Sequence, residues 1–211
     1  MPTLTDFTRL DWSDILPDRP FTNPDQNAED LLHLQYMAGK LRQLLSQPEF
    51  IPVQPRPYVL FLEESGGRRH RIAITRPEEL LVLTELVVVG FCGTKWPEAD
   101  RSPLDAADAE LLNEFMQHPH LLSYSSLEIE GGNWRNLVLF SHPQGIGHWA
   151  ISMKHVYAAQ ELSPGYYRHI RLHNGLLPGG LLSGSEIVLI RTKYYDYQDQ
   201  PLWWAVRELQ A

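Results

Sequence analysis

Residues 136–195 decide the fold of this 211-residue chain, and they read NLVLFSHPQGIGHWAISMKHVYAAQELSPGYYRHIRLHNGLLPGGLLSGSEIVLIRTKYY. A β-like run, Leu137–Ser141, begins the segment, and a second one, Glu186–Lys193, closes it. Between them, a helical pattern opens at His148-Trp149, Ser163-Pro164 introduces another helical turn, and Asn174-Gly175 is a helix stop. Most of the chain's histidines and tyrosines lie in or beside this segment, so we expect any functional site to be built here.

Composition and charge exclude several classes of protein. Hydrophobic residues make up 43% of the chain and charged residues 21%, which is typical of a globular protein. The formal net charge of −8 leaves no basic field for phosphates, so we predict no nucleic-acid partner. The longest apolar run, Leu80–Cys92, is shorter than the ~20 residues that span a bilayer, and no signal peptide pattern occurs. We therefore predict a cytoplasmic protein without a membrane partner.

Residues 1–80 read as an extension to a main domain at residues 81–211. A proline-rich arm over residues 1–25 carries scattered aromatic residues and is expected to pack on the body or on a partner subunit. Asn23 or Asp25 could then cap a helix that runs to about Ser46. The β-like runs Tyr58–Glu64 and Arg69–Thr75 flank two glycines and form a hairpin.

The main domain begins with Glu85–Phe91, a strand that is apolar on both faces and is therefore buried. A helix opening at Ser102-Pro103 follows, and then strands at Leu121–Glu130 and Leu137–Ser141. With the helix and strand that complete the segment, the order is βαββαβ. This order predicts an α+β fold with a ferredoxin-like antiparallel sheet and both helices on one face. Two copies packing sheet to sheet would cover the other face, so we predict a homodimer.

The residues of this half also resemble a known superfamily. Leu137–Ser141, the pattern Trp149-x2-Ser152-x2-His155 and the Ser163-Pro164 helix resemble the dimeric α+β barrels, over roughly residues 85–197. That group includes antibiotic-biosynthesis-type monooxygenases, haem-degrading enzymes and chlorite-dismutase-like proteins. The resemblance implies a hollow barrel that holds a small hydrophobic or aromatic molecule, with haem as a possible cofactor. The chain lacks the asparagine that haem-degrading members carry on the first strand.

His155 is the preferred catalytic residue, as a general base or an axial haem ligand. His148 and His155 lie two helical turns apart, about 10.5 Å, and so cannot chelate one metal. Trp149 is expected to line the ligand pocket or the core, and Tyr157 to shape the pocket.

A second group of candidates is Tyr166, His169 and His173. On a helix, His169 and His173 share one face at the i and i+4 spacing, with Tyr166 on the same side. This spacing can bind a metal, but no third ligand lies nearby in sequence, and we predict no metal site. We assign His169 as a second catalytic candidate, and Tyr166 and His173 as ligand-binding residues. The alternative is a helix end where His173 complements the helix dipole.

Two functions remain open. The first is a small-molecule-binding enzyme of the barrel type, monooxygenase-like or haem-dependent. The second is a non-catalytic binding or assembly protein that makes protein contacts through its aromatic termini, which include Tyr194-Tyr195 and Trp203-Trp204. Whether the chain is an enzyme is left undecided by its sequence.

Overall fold

The computed structural model describes residues 7–47 and 56–209, which form one mixed sheet with helices on both faces. Its strands are β1 (Thr8–Leu10), β2 (Tyr58–Glu64), β3 (Arg68–Ile74), β4 (Glu85–Lys95), β5 (Leu121–Glu128), β6 (Trp134–Phe140), β7 (Tyr167–Pro178), β8 (Val188–Asp196) and β9 (Trp203–Glu208). Its α-helices are α1 (Pro24–Leu45), α2 (Pro77–Val82), α3 (Ser102–Glu114), α4 (Gln144–Ala150), α5 (Met153–Tyr157) and α6 (Ser163–Tyr166). The strands lie in the order β1-β9-β8-β7-β4-β6-β5-β3-β2, and every neighbouring pair is antiparallel except β1 with β9.

Several elements confirm the sequence predictions. Helix α1 begins after Asn23, whose side chain accepts a hydrogen bond from the backbone N–H of Asp25. Strands β2 and β3 form the predicted hairpin, and β4 is a central strand paired on both sides. Among the described residues, no helix is long and apolar enough to cross a membrane.

The predicted fold class, a compact ferredoxin-like unit that dimerises into an α+β barrel, is wrong. Strands β4 to β7 occupy the middle of the sheet, but β3 and β2 extend it on one side and β8, β9 and β1 on the other. The face that a second copy was expected to cover is instead covered by α1. Its Leu34, Met37 and Leu41 are fully buried against the sheet core. The apolar second face of β4 is thus explained within one chain, and the sheet runs without interruption past residue 80.

Strand β7 replaces the helix end that we predicted between Tyr166 and His173. Its side chains alternate, with Arg171 and His173 on the α1 face and Leu172 on the other, which is the period of a strand. The Asn174-Gly175 pair lies inside β7 and is not a helix stop; Asn174 pairs with Arg191 and Gly175 with Leu189, so the extra residue of the β-bulge is Ile190 on β8. A Cβ at Gly175 would lie 2.5 Å from the Val188 carbonyl oxygen, so the close approach of the two strands requires glycine there.

The helix predicted from His148 is interrupted. Helix α4 ends at Ala150, and the Ser152 side chain caps the separate helix α5 by accepting a hydrogen bond from the His155 backbone N–H. His148, Ser152 and His155 therefore do not share one helical face. Met153 on α5 is 86% exposed.

The described part of the N-terminal arm, residues 7–25, packs on the body, which is one of the two expected arrangements; residues 1–6 lie outside the described residues. Its anchor is Arg207 on β9, which is fully buried and donates hydrogen bonds to the backbone carbonyls of Asp11, Asp14 and Thr22. These bonds hold the arm beside the last strand, where β1 adds a parallel pairing to β9.

The helices leave one part of the sheet open. On the face opposite α1, Phe115 of the chain after α3 and Trp149 of α4 pack over Val87, Val138 and Phe140 in the middle of the sheet. Further along, over β8, β9 and β1, the side chains that line the surface come from the strands and from Phe7.

Candidate binding surface

His169 and His173 lie on one face of a strand, not on a helix. At ~3.3 Å per residue, four residues separate their backbones by ~13 Å, so the two imidazoles cannot bind one metal. The His169 ring stacks on Phe21 with ring centroids 4.3 Å apart. Burial, the largest effect, lowers the pKa of His169 to about 4. His169 is thus neutral at pH 7 and is part of the packing beneath the N-terminal arm.

His173 belongs to a buried ion cluster centred on Asp30 of α1. The Asp30 carboxylate accepts hydrogen bonds from Arg171 Nε at 2.5 Å and Nη2 at 2.8 Å, and it lies 3.0 Å from His173 Nε2. Arg135 Nε is 3.1 Å from the same carboxylate. Because a carboxylate only accepts, His173 Nε2 carries the proton and Nδ1 accepts from the Thr192 hydroxyl at 2.8 Å.

The electrostatics of this cluster follow from its burial. Burial alone would raise the pKa of Asp30, but the hydrogen bonds from Arg171 and His173 outweigh it and hold that pKa well below its usual range. For His173 burial has the opposite effect, because it disfavours the protonated imidazole and so lowers the pKa of this histidine. The cluster therefore holds an ionised aspartate between two guanidinium groups and a neutral imidazole.

The same cluster superficially resembles a metal site. Ligand atoms of Asp30, Cys92 and His173 lie within 4.8 Å of one another. However, arginines occupy the carboxylate, and both nitrogens of His173 have hydrogen-bond partners. Burial raises the pKa of the Cys92 thiol well above its usual value, so thiolate, the form that binds metals, is disfavoured. We interpret the cluster as structural.

His155 and Trp149 are the two predicted site residues that the structure brings into contact. Their ring centroids are 5.2 Å apart, and the His118 ring lies 4.9 Å from Trp149 on a neighbouring segment. Burial, followed by the influence of His118, lowers the pKa of His155 to about 4. Nδ1 of His155 and Nε2 of His118 are buried without hydrogen-bond partners among the described residues. Neutral imidazoles against an indole are here packed as apolar rings.

The remaining predicted residues are dispersed. Tyr157 is 53% exposed on α5. Tyr166 is buried and packs edge-on against Tyr167, with ring centroids 4.8 Å apart, in a cluster that includes Trp134. His169 and His173 lie across the sheet, on the face of α1. The six candidates therefore do not surround a common pocket.

A different surface combines aromatic residues from both ends of the chain. Trp204 of β9 lies between Phe7 and Tyr195 of β8, with ring centroids at 4.9 Å and 6.2 Å respectively. The three rings lie on the face opposite α1 because Tyr195 pairs with Trp204 across β8 and β9, and Phe7 directly precedes β1. We call the surface formed by these rings and their basic neighbours the terminal surface.

The basic neighbours are Arg9, Arg191 and Lys193, which line an open cavity of about 270 Å³ together with Phe7, Trp204, Val206 and Glu208. Arg191 is paired with Glu208, with Nε and Oε1 2.7 Å apart. Lys193 and Arg9 have no carboxylate within 4 Å among the described residues. Burial and then the neighbouring Arg191 lower the pKa of Lys193. The cavity thus offers two cations that have no counter-ion in the described part of the chain, whose full sequence has a net charge of −8.

A second cavity, of about 350 Å³, lies on the other side of Trp204. Its walls are Trp203, Thr8 and the turn between β8 and β9, residues 199–202. Trp204 lines both this cavity and the basic one.

The dense aromatic residues at the C-terminus indicated a contact surface from sequence. Lys193 and Phe7 were missed because only the pairing of β1, β9 and β8 brings them together.

Comparison of the chain with models of known protein families, with curated proteins and with solved structures gives no match in any of the three.

Proposed function

We propose that this chain is a non-catalytic binding protein that holds an acidic, aromatic-containing segment of a partner protein on the terminal surface. The observation that carries this proposal is Lys193, a half-buried cation without a carboxylate partner among the described residues, placed among apolar side chains. Desolvating an ammonium group without a counter-ion costs free energy. A ligand carboxylate would remove that cost and would gain a charge-assisted hydrogen bond.

The neighbours of Lys193 define the rest of the ligand. Across the sheet its partners are Leu172 and Val206, and along β8 it is followed by Tyr195. These side chains offer apolar contact on either side of one positive charge. Trp204 adds an indole that contacts both cavities, and aromatic side chains of this kind dominate the energetics of protein interfaces.

The shape of the surface favours a polypeptide segment over a small molecule. Drug-sized ligands are usually held in clefts that bury most of their surface. Here two open cavities both include Trp204 in their lining, and side chains of one extended segment could enter both. The charge favours an acidic segment over nucleic acid, because Arg9 and Lys193 are two local cations on a chain of net charge −8.

The enzyme hypothesis has less support from the geometry. A haem-dependent or monooxygenase-like site was expected in the hollow interior of a dimeric barrel. That position is occupied by α1, whose Leu34 and Met37 fill the sheet face. His155, the preferred base, is packed against Trp149 instead of lining a pocket with the other candidates.

The binding experiment uses a fluorescein-labelled peptide that alternates glutamate with tryptophan and leucine, titrated with the full-length protein and followed by fluorescence anisotropy. We expect saturable binding that weakens with salt, and a loss of at least about tenfold in affinity for Lys193→Glu, since a charge-assisted hydrogen bond contributes about 1.5–3 kcal/mol. Lys40→Glu, which makes the same charge change on α1, should bind the peptide as the wild type does.

Two results would overturn the proposal. One is equal affinity of the wild type and Lys193→Glu for the acidic peptide. The other is binding of a single-stranded oligonucleotide, or of the same peptide with lysine in place of glutamate, as tightly as the acidic peptide. The first result would show that Lys193 does not contact the ligand, and the second would show that the surface does not select an acidic partner.

A further inference from the structure

The opposite edge of the sheet ends in an apolar strand that no other described element covers. Strand β2 has β3 as its sheet neighbour and lies last in the strand order, so half of its backbone hydrogen-bonding groups point away from the sheet. Its sequence is YVLFLEE, with four consecutive apolar residues after Tyr58. Phe61, at the centre of the strand, is 78% exposed.

Edge strands are usually protected against pairing with another chain by lysine, proline, a bulge or short length. Strand β1, at the far edge, is three residues long and so is protected in this way. Strand β2 has seven residues, contains neither lysine nor proline, and pairs with β3 without a register shift. The two edges thus differ, and β2 has the features of an edge that accepts a partner strand.

The strand is complementary to a second copy of itself. If two β2 strands pair antiparallel with Phe61 opposite its copy, all seven residues of each strand are paired. Leu60 then lies opposite Leu62 of the second strand, Val59 opposite Glu63, and Tyr58 opposite Glu64. No two like charges face each other, and the exposed phenyl rings meet on one face. Directly opposed aromatic pairs stabilise two paired strands more than an alanine pair does.

We propose that the protein forms a homodimer by antiparallel pairing of β2 with β2 of a second copy, centred on Phe61. The sheet becomes continuous across the two-fold axis, and because this register keeps each side chain on its own face, both α1 helices lie on the same side. This interface is not the sheet-to-sheet packing of a barrel. It lies at the edge remote from the terminal surface, six to eight strand spacings or roughly 29–38 Å away along the sheet at ~4.8 Å per strand, so the two surfaces share no residue.

The test is a charge exchange at the two-fold axis, read by size-exclusion chromatography with light scattering. The wild type should approach twice the chain mass of 24.3 kDa as concentration rises. Phe61→Lys and Phe61→Glu should each remain at the mass of one chain, because like charges would meet at the axis. An equimolar mixture of the two variants should recover the dimer mass, since opposite charges then meet.

Met153→Lys is the matched control, because it places the same charge on an exposed apolar position of α5 and should dimerise as the wild type does. Circular dichroism of each variant checks that the exposed substitution leaves the fold intact. A wild type that stays monomeric at every concentration, or a Phe61→Lys variant that dimerises, would overturn the proposal. A mixture that remains monomeric would overturn the register centred on Phe61.

Discussion

Replacing Asp30 by asparagine should strongly destabilise the protein. The substitution keeps the side-chain shape but removes the negative charge that two arginines and His173 contact at 2.5–3.1 Å. Asp30 is fully buried, and Arg171 and Arg135 are almost fully buried. Removing one member of a buried ion pair costs about 3–5 kcal/mol, because the remaining charge loses its partner without gaining water. The amide N–H₂ group of asparagine would also place a donor against these donors.

Urea denaturation measures this loss. With a slope of about 1–3 kcal/mol per molar urea, a loss of 3–5 kcal/mol lowers the unfolding midpoint by roughly 1 M or more. Glu29→Gln, the same change on the adjacent exposed residue of α1, should shift the free energy of unfolding by less than about 0.5 kcal/mol. A value for Asp30→Asn within 1 kcal/mol of wild type would refute the arrangement, since the arginines would then need no buried counter-ion.

Two further predictions concern pH and packing. The pKa of His155 in the folded protein, about 4, lies below its unfolded value near 6.5, so the unfolded state binds the proton more tightly. The contribution of His155 to the free energy of unfolding is therefore full above pH 6.5 and falls by up to about 3 kcal/mol as the pH drops to 4. His155→Phe should reduce this dependence in urea titrations at several pH values and exposed His148→Phe should not; an unchanged profile in His155→Phe would contradict the assignment. Gly93→Ala should lower the free energy of unfolding by about 1–3 kcal/mol in thermal unfolding, because its Cβ would lie 2.3 Å from the Tyr167 ring. Gly147→Ala is the control, because it has open space around it. Equal stability of the two variants would contradict the close approach of Gly93 to Tyr167.

Sequence periodicity predicted most elements of this fold because their signals are local. The Asn23 cap and the leucine spacing specify α1, and the two glycines specify the β2–β3 hairpin. The prediction failed at residues 166–173, where the aliphatic Ile170 and Leu172 alternate with basic residues at period two, but the Ser163-Pro164 start and the Asn174-Gly175 pair were interpreted as the ends of a helix. The short strand β1 was also missed, since its pairing with β9 depends on residues almost two hundred positions apart.

The fold class failed for a related reason. A βαββαβ order does not state what covers the second face of its sheet, and we assigned that role to a second copy when α1 of the same chain fulfils it. Helix α1 was predicted, but Asp30 is one of three acids in its first two turns, after Asp25 and Glu29. Its partners on β6 and β7 are more than a hundred residues away in sequence, so no local pattern could identify the buried ion cluster.

The two faces of strands β8 and β9 have different roles: one face makes buried polar contacts, and the other carries the proposed binding surface. Neighbouring residues on β8 have opposite roles, because side chains alternate along a strand. Tyr194 is fully buried on the α1 face, where its hydroxyl lies 2.8 Å from Arg207 Nη1 and 3.2 Å from Asn27 Nδ2. Tyr195 lies on the other face, beside Trp204. The polar contacts of Tyr194 and Arg207 fix the strands and the N-terminal arm from one side. A fixed backbone can therefore present Lys193 and Trp204 on the opposite side, with Tyr195 packed beside Trp204, which is the pre-organisation that the proposed binding surface requires.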